Sequence, residues 1–139
     1  MARSRTPWPR ARFGLGVLAI AVMLLAGCAS TPAVPPGVLD LSGVWEGTWN
    51  GGPIGRGRIT LTLTQAGTKV TGSLKMSGAT AISATDGPVE GVVIDSTFSF
   101  EQPGGAMQGD MAIVGEDMSG DATGRIRATL QLRRQPPKQ

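Results

Sequence analysis

The chain has 139 residues, a formal net charge of +3, no histidine, no tyrosine and one cysteine, Cys28. That length suits one domain, and a lone cysteine excludes a disulfide framework and a zinc site. The positive charge does not mark nucleic-acid binding. Arg3, Arg5, Arg10 and Arg12 precede everything else, and without them nine Lys/Arg face ten Asp/Glu, a net charge of −1 with no basic stripe to neutralise phosphates.

In chain order, the basic stretch MARSRTPWPRAR leads into an apolar run over residues 13–27. The run is shorter than the roughly 20 residues a spanning helix needs, and Pro32, Pro35 and Pro36 stop its continuation. Residues 1–27 therefore read as a cleaved signal peptide, with a retained anchor helix as the competing reading. Leu25-Ala26-Gly27-Cys28 closes the run and resembles the lipobox of bacterial lipoproteins. The resemblance implies that Leu25, Ala26 and Gly27 are read by signal peptidase II and that Cys28 becomes the acylated first residue of the mature protein. Two or three acyl chains make membrane attachment lasting, where one is marginal. In such lipoproteins an Asp after the cysteine commonly retains the protein at the inner membrane; Ala29 stands there instead, which implies the outer membrane facing the periplasm, with surface exposure left open.

Residues 28–40 carry three prolines without periodicity and read as an extended tether to the bilayer. From residue 41 to 135 the pattern is alternation. Ile59, Leu61 and Leu63 share one face and Thr60, Thr62 and Thr64 the other. The same holds for Val70, Gly72, Leu74 and Met76, for Phe98 and Phe100, and for Ile126, Ala128, Leu130 and Leu132. Period two with one polar face marks half-buried antiparallel strands. Eight are expected, near 42–49, 57–65, 69–77, 89–95, 97–102, 106–114, 118–123 and 125–134, with 136–139 as a tail. Tight turns at 66–68, 95–96 and 115–117 favour an all-β meander closed into a small eight-stranded antiparallel barrel, with no helix in the mature domain.

Gly43-Val44-Trp45 on the first strand resembles the G-x-W of the calycin barrels, the lipocalin- and avidin-like proteins. In those families a basic residue of the last strand packs across that Trp. Arg134 falls on the inward parity with Leu132, and an antiparallel last strand ends where the first begins, so Arg134 is expected over Trp45 at the barrel base. A plain core role for Trp45 competes with any ligand role. The avidin site's tyrosines and later tryptophans are missing, which argues against biotin; a lipocalin-type flanking helix is also missing.

Without histidine or tyrosine, and with the only thiol acylated, the usual general base and most nucleophilic triads are excluded, so an enzyme is not expected. Glu116, Asp117 and Asp121 surround one turn and resemble a calcium loop weakly, with too few ligands; solvated turn acids are the better reading. No metal or cofactor is expected. Glycines at 43, 47, 72, 91, 109 and 120 fall inside strands, where each costs about 0.5–1 kcal/mol relative to Ala. They serve either sharp coiling or space for a ligand beside the candidate lumen residues Met76, Phe98, Met107 and Met111; coiling around a filled core is favoured. The looser loops 50–55, 78–88 and 103–105 share the end away from the tether, with residues 79–86 as the candidate lid. The expected role is non-catalytic binding of a small apolar ligand or an envelope protein, the alternative being a structural or protease-inhibitor-like interaction module.

Overall fold

The computed structural model describes residues 34–78 and 86–137. The signal segment, Cys28 with its lipobox, and most of the candidate lid lie outside the described residues.

Eight strands follow one another: β1 (Gly43–Asn50), β2 (Arg56–Ala66), β3 (Lys69–Ser77), β4 (Gly87–Ile94), β5 (Thr97–Glu101), β6 (Met107–Val114), β7 (Asp117–Gly124) and β8 (Ala128–Arg134). Each pairs antiparallel with the next, and β8 returns to β1, so the sheet closes into an all-β barrel without a free edge. Among the described residues the helical content is a single 3₁₀ turn, Gly52–Ile54, in the β1–β2 loop. Pro53 presets its backbone, and the Asn50 Oδ1 accepts from the Gly52 N–H at 2.9 Å.

The alternation sorts side chains as the pleat requires. Ile59, Leu61 and Leu63 are buried, whereas Thr62 and Thr64 face solvent. Three hairpins turn on two residues each, since Ala66 pairs with Lys69, Ile94 with Thr97 and Val114 with Asp117. Each begins with a residue of positive φ: Gly67, Asp95 at 52°, and Gly115. Asp is one of the few non-glycine residues that tolerates that conformation.

The inward glycines settle the choice between coiling and space. A Cβ on Gly47 would lie 1.8 Å from the Gln131 carbonyl oxygen of β8; on Gly120 it would lie 2.0 Å from that of Asp110 on β6; on Gly91, 2.2 Å from that of Ser99 on β5. These positions meet neighbouring backbone, not open lumen, so glycine is what lets the strands bend this tightly. Bulky inward residues stand opposite them: Gly91 faces Phe100, and Gly120 faces both Met111 and Leu130.

Three boundaries differ by two residues or more from the sequence-based expectation. The last strand begins at Ala128, not residue 125, because the Arg125 N–H bonds the Ala106 carbonyl in the loop instead of a strand partner. β4 starts two residues early, at Gly87, where it still pairs with Leu74. The chain is also held to the barrel before residue 41. Val38 N–H closes a turn on Pro35, and Leu39 and Asp40 bond the base through their carbonyls.

Candidate functional site

The barrel's two ends are unlike. The base carries the three two-residue turns, the start of β1 and the end of β8; the other end carries the longer connections 51–55, 78–86, 102–106 and 125–127.

At the base, Trp45 pairs with Arg134 across β1 and β8. The Arg134 Cζ sits 4.8 Å from the indole ring centroid, within cation–π range. The same guanidinium donates to the Ser42 carbonyl at 3.4 Å and, through its other terminal nitrogen, to the Asp40 carbonyl. Its Nε lies 3.5 Å from the Glu116 carboxylate, an ion-pair distance without hydrogen-bond alignment. The Trp45 Nε1–H donates to the Leu41 carbonyl at 2.9 Å. Leu41 is fully buried and stoppers the base.

The residue that holds this stopper, Gln65, was not singled out from the sequence. Its Oε1 accepts from the Leu41 N–H at 2.7 Å, and its Nε2 donates to the carbonyls of Leu39 (2.8 Å) and Gly67 (2.9 Å). The Gln65 N–H also donates to the Ser42 hydroxyl at 3.1 Å. A signal existed: Gln65 continues the inward parity of Ile59, Leu61 and Leu63, so a polar group had to be satisfied inside. Asp40 completes the collar. The Ser42 N–H donates to its carboxylate at 2.9 Å. That bond, then the Ser42 hydroxyl, and least of all the charge of Arg134, hold its pKa below the usual carboxylate value against a small opposing effect of burial.

The candidate lumen residues are packed core. Phe98, Met107 and Met111 are fully buried and Met76 nearly so, together with Trp45, Trp49 and Leu74. Phe98 stacks with Phe100 at 5.8 Å between ring centroids. No water-sized space touches Phe98, Met107 or Met111, as befits an eight-stranded interior filled by side chains. Near the loop end, the Trp49 Nε1–H donates to the Ser77 carbonyl at 3.0 Å, and the Met76 N–H to the Asp86 carboxylate at 2.7 Å.

Concavities lie outside the barrel. One, about 720 Å³, is at the loop end between residues 50–54 and 127–129. Another, about 670 Å³, runs over the outer wall of β4–β7 between Glu90, Glu101, Asp110 and Asp121. Here Glu90 pairs directly with Glu101 and Asp110 with Asp121, like charges that weaken a sheet unless hydrogen bonds or solvent relieve them. Ser99 and Thr129 donate hydroxyls to Asp110 and Asp121. Around the turn first read against a calcium loop, Asp117 pairs with Arg133 at 3.4 Å and Glu116 with Arg134. Among the described residues no three acids, histidines or cysteines gather as a metal site.

No protein-family model and no curated protein sequence matches the chain. Among solved structures it is similar to a point mutant of the fluorescent protein UnaG, at 14% identity, over 70% of this chain and 97% of that one, with a TM-score of 0.42. At that level the likeness carries no functional argument.

Proposed function

We propose that the protein is a lipid-anchored, non-catalytic recognition module of the bacterial outer membrane, acylated at Cys28 and facing the periplasm, which binds an envelope protein through its loop end. One observation carries the binding part: the end that receives the tether is stoppered by Leu41, whereas the opposite end offers a recess with an exposed apolar residue, Ile54, beside Pro53 and Arg127. An apolar anchor flanked by arginine is the composition of interface hot spots. A filled interior leaves the loops and outer wall as the recognition surfaces. Four methionines in the core, Met76, Met107, Met111 and Met118, favour a second reading, because unbranched thioethers can repack around a small apolar ligand.

The test uses the full chain in a Gram-negative host. A photo-crosslinking residue at Ile54 should give a discrete adduct that the same residue at Thr62, on the outer wall of β2, does not. Indistinguishable patterns would remove the loop-end reading. Native mass spectrometry of the detergent-extracted protein addresses the second reading, for which a stoichiometric small-molecule adduct is required. Persistence of Cys28→Ser in the membrane fraction would refute the anchor.

A further inference from the structure

The base rim carries an apolar face that the fold does not use. On β4, Val92 and Ile94 point outward and are 42% and 64% exposed; on β6, Val114 is 77% exposed and Ala112 lies two residues before it on the same face. Thr97 of β5 joins them, pairing with Ile94 on one side and Ala112 on the other. Scattered apolar residues on a surface are ordinary. These are contiguous across three strands, and Ile94 and Val114 are the last residues before base turns. They therefore stand at the end where the chain enters.

We infer that this β4–β6 rim docks on the lipid bilayer, so that the barrel rests against the membrane instead of swinging free on its tether. The inference rests on the acylation of Cys28 proposed above and adds a second contact to it. Ten residues lead from Cys28 to Val38, a reach of at most about 30 Å at about 3.1 Å per residue. An eight-stranded barrel with strands about 4.8 Å apart is roughly 16 Å across. The tether therefore reaches any side of the base while keeping the base close to the head groups. Such confinement raises effective concentration, so a weak contact suffices. The rim chemistry fits an interfacial position. Lys69 pairs with Val92 at the edge of the face, a placement from which a lysine stem can cover apolar surface while its amine reaches a head-group phosphate. Asp95 and the Asp117–Arg133 pair border the other side and keep penetration shallow. With acids on that border, zwitterionic head groups suit the face better than anionic ones.

The barrel's packed core lies wholly between Val38 and Leu132, so the chain from Cys28 onward contains all of it. That chain is coupled through the Cys28 thiol to a maleimide lipid in phosphatidylethanolamine–phosphatidylcholine vesicles, with or without bromine on the acyl chains. Ile94→Trp, Val114→Trp and Thr64→Trp are compared, the last lying near the base on β2. The emission added at 94 and 114 should fall by roughly half in brominated vesicles, and that added at 64 by no more than about a tenth, for side chains seated in the interfacial layer. Equal quenching at all three sites, or none, overturns the inference. Self-association of the uncoupled chain that Val114→Asp abolishes assigns the face to a second copy and overturns it too. Acylation is read separately, by alkyne-palmitate labelling of the full chain in cells. Absence of label there refutes the anchor reading, while the vesicle experiment still decides the face.

Discussion

Replacing Gln65 by Leu keeps the volume of the clamp and deletes its amide. The Leu41 N–H, buried with the stopper, is left without its acceptor, a penalty of about 1–3 kcal/mol. The Leu39 and Gly67 carbonyls lose a donor each but lie near the surface, where water replaces much of it, adding about 0.5–1 kcal/mol together. A total near 3 kcal/mol in a barrel of roughly 95 residues corresponds to a fall in Tm of about 12–24 °C. The assay is thermal unfolding by circular dichroism on the chain from Cys28 onward, with amide exchange read at Leu41 and Ser42. A variant that melts within about 3 °C of the parent, with the Leu41 amide still protected, would show that Gln65 does not hold the stopper. Gln65→Glu adds a signed control. Its carboxylate can accept from Leu41 but has no donor for the two carbonyls, so its folded pKa is raised. Its deficit should be largest at neutral pH and shrink as the acid protonates.

Arg134→Met keeps the apolar stem and removes the cation over the indole together with its bonds to Ser42 and Asp40. It should cost about 1–3 kcal/mol in urea unfolding and shift Trp emission, and an unchanged midpoint would count against the contact. Gly47→Ala should abolish cooperative unfolding, because β1 and β8 cannot separate locally to admit a Cβ 1.8 Å from a carbonyl oxygen. Gly87→Ala, whose Cβ meets only the Gln102 side chain at 3.6 Å, should stay within about 0.5 kcal/mol of the parent. Asp40 titrates below its ordinary value in the folded chain, so its contribution is present above the unfolded pKa near 3.9 and lost as pH falls through the folded one. Asp40→Asn should flatten that acid limb in a pH series of denaturation midpoints, by lowering stability at neutral pH towards the value the parent shows in acid and leaving the acid end unchanged.

The strands were legible because pleat and burial coincide: once Ile59, Leu61 and Leu63 face inward, β2 has one acceptable register against β1 and β3. Barrel closure makes the end of β8 meet the start of β1, so once the calycin resemblance implied a basic residue over Trp45, inward parity singled out Arg134. The docking of residues 39–42 was not legible. That segment has no period to read, and its burial depends on Gln65, more than twenty residues away. The in-strand glycines were ambiguous for a different reason. A missing side chain looks the same in sequence whether it leaves room or lets backbones approach, and only the neighbouring carbonyls decide.

The stopper also determines how the domain carries load. A pull on the chain ahead of Leu39 reaches β1 through a segment held simultaneously by β2, by the indole of β1 and by the guanidinium of β8. The force is shared around the ring before any ladder feels it. β1 is paired along both sides, so what remains is delivered in shear along two rows of hydrogen bonds, not by peeling them one at a time. A domain pulled from the chain ahead of β1 should therefore rupture in one event at high force, after a small early yield as the Gln65 collar gives way.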